Sequence, residues 1–319
     1  MTKLIIQKTF YLLLMLFLIS LISFFMIHLA PNSFFSAGGL NPNMTPESIE
    51  HLKRVYGLDK PIIIQYILWL KSITMLDFGI SFASGLSVLD EIQSRVGITL
   101  GMNITAMIAI FWLALWLGVK SAFGNEKTTK KIKQLSLLSY SMPSFYLALL
   151  FILFLSYKLD LFPIGGLNSF EVEEGTLDWY IDRVYHLILP ISVMVFVGFG
   201  SLTLYIRSLT IDILKSDYIF FAKARGLDDT MIKKRYIFPN LLPFIITILG
   251  LSLPGLLGGS VILEQIFGID GMGLLFYQSA LSRDYPVIMG ILIIGAFLTL
   301  LGNIIADILL YKLNPNFKK

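Results

Sequence analysis

Six stretches of the chain, about Phe10–Leu29, Ile98–Val119, Leu135–Tyr157, Leu187–Ile206, Leu241–Leu263 and Val287–Leu310, are apolar over the roughly 20 residues that a helix needs to cross a bilayer. Hydrocarbon offers no water to unpaired backbone N–H and C=O groups, so long apolar segments of this kind span as helices. The expected fold is therefore all-α, a polytopic membrane protein with about six transmembrane helices. Composition agrees, with 56% hydrophobic and only 14% charged residues. The first run follows Lys3 and Lys8 as a signal peptide would. It is too long for a usual h-region and no A-x-A-like site follows, so it is expected to stay attached.

Lysine and arginine placement gives the orientation. With the N-terminus inside, the inner segments hold Lys3, Lys8, Lys120, Lys127, Lys130, Lys131, Lys133, Arg207, Lys215, Lys223, Arg225, Lys233, Lys234, Arg235, Lys312, Lys318 and Lys319. The outer ones hold Lys53, Arg54, Lys60, Lys71, Arg95, Lys158, Arg183 and Arg283. This asymmetry favours N-in, C-in, and it accounts for the net charge of +4 without nucleic acid. The chain divides into residues 1–29 (N-terminus and first span), 30–97 (an outer segment) and 98–319 (a core with five spans and an inner loop over 207–240).

The outer segment Ala30–Gly97 is too long for a bare connector. Thr45-Pro46-Glu47 starts a helix with Ile49, Leu52, Val55 and Tyr56 on its apolar face, closed by Gly57. Pro61 opens a second helix carrying Ile64, Tyr66, Trp69, Leu70 and Ile73, whose aromatic residues suit a membrane interface. The segment reads as a cap over the spans or as a docking surface for an outer partner. Lys158–Tyr185 is acidic through Asp160, Glu171, Glu173, Glu174, Asp178 and Asp182, a solvated loop or a partner-docking or cation-attracting one. Glu264–Tyr285 is glycine-rich and is expected to fold back as a short re-entrant or gate-like structure.

The inner segment Asp217–Pro243, DYIFFAKARGLDDTMIKKRYIFPNLLP, is a charged island between two apolar stretches. Tyr218, Phe221, Ala222 and Arg225 share one helical face at i, i+3, i+4 and i+7. Gly226 stands where a helix ends in a left-handed residue. Asp228 offers an N-cap to a second helix, with Leu227 and Ile232 as a hydrophobic staple. Pro239 and Pro243 mark re-entry into the next span. The pattern is either an ordinary basic loop or a helix–glycine–helix hook shaped to be gripped.

Motifs of catalysis and of cofactor or metal binding are not found. There is no G-x-x-x-x-G-K-[ST] phosphate loop, no G-x-S-x-G elbow and no H-E-x-x-H pair. The chain has no cysteine, which excludes disulfides and thiol catalysis. His28, His51 and His186 have no second ligand at metal spacing and read as structural or interfacial. Few polar residues lie at membrane depth. Asn103 and Thr105, together with Glu264, are the candidates for a translocation path, and Asn103 fits equally a hydrogen bond between neighbouring helices. Asn303 and Asp307 occupy the last span, where Asp307 reads as snorkelling or paired with Lys312.

The inner segment resembles the coupling motif, the EAA loop, of ABC-importer permeases, with Ala222, Gly226 and Pro239 at its spacing. Nearly the whole chain is similar to the dipeptide/oligopeptide/nickel branch of that family. The collinear markers are LAP at Leu29–Pro31, GLDKP at Gly57–Pro61, Gln65-Tyr66, DFGIS at Asp77–Ser81, Arg95 with Thr99-Leu100, and MPSF at Met142–Phe145. They continue with FPIGG at Phe162–Gly166, HLILP at His186–Pro190, AKARGL, FPNLLP, LEQIF at Leu263–Phe267, RDYP at Arg283–Pro286 and ADILLYKLNP at Ala306–Pro315. The long outer segment resembles the B-type member of the permease pair. Phe220 and Phe221 replace the Glu and first Ala of the general motif, as they often are in the peptide branch. The first marker continues as Asn32-Ser33 instead of Gly-Asp, and the basic loop Lys120–Lys133 matches poorly.

The resemblance implies an inner-membrane permease subunit that is not itself an enzyme and holds no cofactor. Its expected partners are a homologous second permease, two ATP-binding subunits, an extracytoplasmic substrate-binding protein and membrane lipid. It also implies that Tyr218, Phe221, Ala222, Lys223, Ala224, Arg225, Gly226, Leu227 and Pro239 form the ATPase-coupling surface. Peptide is the first choice of substrate, and nickel or a metal chelate the alternative. An ion-coupled secondary transporter would show repeated halves with charged midplane sites, which this sequence does not display.

Overall fold

The computed structural model describes residues 2–29, 60–253, 255–258 and 261–313. Among these the backbone is helical apart from turns and one antiparallel bridge between Ile80 and Ser87. The helices are α1 (Thr2–Leu29), α2 (Ile62–Thr74), α3 (Val88–Phe123), α4 (Glu126–Ser141), α5 (Ser144–Phe151, continued by wider π turns over Ile152–Lys158) and α6 (Leu177–Leu214). Then come α7 (Asp217–Ala224), α8 (Asp229–Ile232, continued by π turns over Lys233–Ile237), α9 (Phe238–Ser252), α10 (Gly255–Gly258), α11 (Val261–Phe267), α12 (Met272–Ser282) and α13 (Tyr285–Leu313). Among the described residues five helical stretches are long and apolar enough to cross a bilayer, or six if the bent pair α4 and α5 is counted as one span.

Two of the expected spans are corrected. Leu135–Tyr157 is not one straight helix: Glu126–Ser141 and Ser144–Lys158 meet at 102°. Pro143 causes the break, because a proline pushes the residue before it out of the helical region, and Met142 is extended at φ −87, ψ 127. The fifth span was expected over Leu241–Leu263. A helix instead runs over Asp229–Ser252 and stops before Leu253–Ser260, whose sequence LPGLLGGS supplies a proline and three glycines. Two other helices outrun their apolar cores. α3 starts at Val88, with Asp90 and Glu91 in the first turn, where carboxylates favour the helix dipole. α6 starts at Leu177, capped by the Thr176 hydroxyl, which accepts the Trp179 N–H at 3.3 Å.

Two compact units can be distinguished. The first takes in residues 1–99, 257–261 and 270–304. Its core joins Phe78, Val88 and Ile92 to Met272, Leu275, Val287 and Ile293. One buried carboxylate organises it. Asp284, 1% exposed, accepts hydrogen bonds from the Ser81 hydroxyl (2.5 Å), the Phe82 N–H (3.1 Å) and the Ala83 N–H (3.0 Å). Its own carbonyl accepts the Ile288 N–H, so the same residue starts α13. Nearby, Ser84 donates to the buried Glu91, and Arg95 donates to Asp270 at 2.7 Å. The glycine-rich stretch expected to fold back contains α11, a turn and α12, closed by Arg283 in the left-handed region at φ 58. The helix expected over Thr45–Gly57 lies outside the described residues.

The second unit takes in residues 100–256, 262–269 and 305–319. The acidic loop before α6 is fastened down by one of its own carboxylates. Asp182 accepts the Ser169 N–H at 2.6 Å and its hydroxyl at 2.9 Å. His186, buried, lies between this pair and the carbonyls of Gly165 and Gly166, both 3.2 Å from Nδ1. The reading of His186 as structural therefore holds. His51 and the side chain of His28 lie outside the described residues, as does that of Lys312, the expected partner of Asp307. Glu171, Glu173, Glu174 and Asp178 remain exposed.

Candidate functional site

The hook is built in the second unit from the end of α6 to the start of α9. Ser216 opens α7, its carbonyl accepting the N–H groups of Ile219 and Phe220 at 3.1 and 3.3 Å. The helix is eight residues long and ends as the sequence predicts. Gly226 has φ +80, its N–H donates to Lys223 O at 2.9 Å, and the Leu227 N–H donates to Ala222 O at 3.2 Å. These two bonds form the Schellman arrangement, which satisfies carbonyls that a helix end otherwise leaves open. Asp228 then caps α8, accepting the Met231 N–H at 2.9 Å.

The staple closes as expected. Leu227 and Ile232 pack into one cluster with Ile219, Ile237, Leu241, Ala114, Val119 and Ile206. Full burial of side chains such as Ile219, Ile232 and Ile237 stabilises by about 1.5–3 kcal/mol each, so the hook is seated firmly on its own unit. Lys233 adds a cation over the Phe123 ring at 4.4 Å.

The facing of α7 differs from the sequence reading. Ala222 does not share an outer face with Tyr218, Phe221 and Arg225; it is 2% exposed and turned inward with Ile219. The inward positions Ile219 and Ala222 are three apart, one helical face, and the outer side presents Tyr218, Phe220 and Phe221 at 43%, 69% and 60% exposure. Lys223, Ala224, Arg225 and Gly226 continue this exposed surface, and Leu227 turns back in. Tyr218 stacks on Tyr236, ring centroids 6.0 Å apart. Phe220 was not among the residues expected to matter, yet it is the most exposed of the three aromatics.

Pro239 is the second residue of α9, directly after the π turns, and Pro243 lies further inside that helix. There is no gap between hook and span. The second arm of the hook passes through the π turns directly into α9, one apolar rod over Asp229–Ser252.

The three candidate path residues differ in environment. Asn103 is buried and donates its amide to Leu256 O at 2.7 Å, a link to the chain just beyond α9. Thr105 is exposed on α3 and returns its hydroxyl to Gly101 O at 2.7 Å. Glu264 is completely buried in α11.

Comparison with known proteins gives matches along nearly the whole chain. Residues 110–319 match the family described as binding-protein-dependent transport system inner membrane component, and residues 1–103 match its N-terminal companion. The chain is similar to the oligopeptide transport system permease protein AppB of Bacillus subtilis, 35% identical over 302 residues and 94% of each chain. It is 33% identical to the dipeptide transport system permease protein DppB of Lactococcus lactis over 320 residues, 100% of each. The oligopeptide transport system permease protein OppB of Haemophilus influenzae is 33% identical over 306 residues, 95% of each.

Proposed function

Because this chain belongs to the family of inner membrane components of binding-protein-dependent transport systems, a multi-pass permease of an ABC importer, we propose that it forms half of a peptide path and couples that path to separate ATPase subunits. The peptide assignment follows the oligopeptide and dipeptide permeases it is similar to. The path is completed by a homologous second permease, fed by an extracytoplasmic binding protein and driven by two ATP-binding subunits. Asn103, Thr105 and Glu264 are our candidates for the path.

The hook carries the coupling reading. Its inner face is fixed to the bundle, its outer face offers Tyr218, Phe220 and Phe221, and its second arm is continuous with a spanning helix. A partner that gripped the aromatic face and moved would therefore displace the rod Asp229–Ser252 as a lever, a rigid-body switch between two packings. Exposed aromatic side chains are the residue types that anchor protein interfaces. Replacing Phe220 and Phe221 together by serine removes the anchors without touching the buried face. The expected result is unchanged permease in the membrane, with ATPase subunit retention and uptake both reduced at least about 10-fold, as loss of two anchors of about 1–2 kcal/mol each implies. Full retention of both would discard the coupling assignment.

This mechanism places the hook in the cytoplasm and, with it, both termini, residues 30–97 lying outside. Single cysteines decide the point, since the chain has none of its own. A cysteine at Gly175 should react with an impermeant reagent added outside intact cells, and one at Lys130 only after the membrane is opened. The opposite pattern would reverse the topology.

A further inference from the structure

We propose that α2 is sunk into the outer half of the bilayer beside α1, with its free apolar face packed against lipid acyl chains rather than against water or a docking protein. The argument starts from depth. The first span has no residues to spare: Lys8 bounds it on one side, and the uncharged run from Phe10 to Leu29 is about the 20 residues that 30 Å of hydrocarbon requires. Positions 17–25 lie in the outer half of the span, from near its middle to its outer end.

Among the described residues, the ring contacts of α2 with α1 fall in that interval. The Tyr66 ring meets those of Phe17, Phe24 and Phe25 at 6.5, 5.3 and 6.1 Å, and Trp69 meets Phe24 at 5.6 Å. Tyr66, 6% exposed, also shares a hydrogen bond of 2.9 Å with the Ser20 hydroxyl. Ser20 lies 12 residues beyond Lys8, about 18 Å along the helix at 1.5 Å per residue. A tyrosine hydroxyl at that depth needs a protein partner, because the surroundings offer none, and Ser20 supplies it. A helix lying on the membrane surface could not reach these residues.

The other side of α2 carries Ile63, Ile64, Ile67 and Leu68, exposed by 64%, 44%, 59% and 39%. Ile22 and Met26 of α1, also within the span, are exposed by 61% and 67%. Four large aliphatic side chains at that depth fit acyl chains, which make no polar demand on them. α2 is too short to span, with 13 residues. Lys60 and Lys71, both exposed, bracket its apolar stretch, placed to snorkel toward outer-leaflet headgroups.

Nitroxide labels on single cysteines at Ile63 and Ile67, in the assembled transporter in lipid nanodiscs, test this. Collision with oxygen and with a water-soluble nickel chelate is read at each site, against Leu13 in α1 and Met75 in the loop after α2. The expected result is an oxygen-rich, nickel-poor signal at Ile63 and Ile67, matching Leu13, while Met75 is open to nickel. Nickel access at Ile63 and Ile67 equal to that at Met75 would overturn the proposal in favour of a surface helix. Low access to both reagents would overturn it in favour of a seat for a protein partner.

Discussion

Gly226→Val is expected to leave the permease in the membrane at its normal level while abolishing substrate-stimulated ATP hydrolysis and uptake. Space is not the obstacle, since a Cβ at this position would have no neighbour within 4 Å. The obstacle is φ +80, a left-handed conformation that costs a residue with a side chain roughly 1–2 kcal/mol, and a β-branched one is the worst case. Escaping it breaks the bonds from Gly226 N–H to Lys223 O and from Leu227 N–H to Ala222 O, about 1 kcal/mol each. By either course a change on the order of 2 kcal/mol acts on a helix of eight residues that would not form alone. Gly226→Asn is the control. Asparagine tolerates the left-handed region and should keep most of the uptake. Equal transport by all three proteins would mean that the shape of the hook transmits nothing.

Asp284→Ala should be the most destabilising single substitution in the first unit. It strips the acceptor from the Ser81 hydroxyl and the Phe82 N–H, on residues 4% and 5% exposed, and from the Ala83 N–H. Bonds to a carboxylate acceptor contribute roughly 1.5–3 kcal/mol each, and two of the three donors left behind, on Ser81 and Phe82, are buried. The expected loss is about 3–5 kcal/mol, read as a lower unfolding midpoint of the purified transporter and faster proteolysis between Leu76 and Leu86. Asp284→Asn keeps an acceptor oxygen and should lose less than half as much. An alanine variant as stable as the parent would show that the carboxylate does not hold this loop.

The spans and the hook were legible in the sequence for local reasons. Apolar length marks a membrane helix, and a glycine followed by an aspartate marks a helix end and a new start. Gly226, Asp228, Leu227 and Ile232 all behave as their chemistry predicts. The facing of α7 was not legible, because Tyr218, Ile219, Phe220, Phe221 and Ala222 make it apolar nearly all round and periodicity alone does not choose a side. The clamp at Asp284 carried no local signal either, since Ser81 is 203 positions away. The N-terminal extension of α3, before its apolar run, was not legible for a different reason. Asp90, Glu91 and Arg95 look like loop residues by polarity, yet Glu91 is buried and Arg95 is paired with Asp270.

The central claim is that the outward aromatic face of α7 is the surface gripped by an ATPase subunit. Photo-reactive amino acids placed singly at Phe220, Phe221, Ile219 and Ala222 in the assembled transporter test it at the contact itself. Crosslinks to the ATP-binding subunit are expected from Phe220 and Phe221, and crosslinks within the permease chain from Ile219 and Ala222. Adducts to the ATP-binding subunit from the inward pair but not the outward one, or from none of the four, would contradict the account.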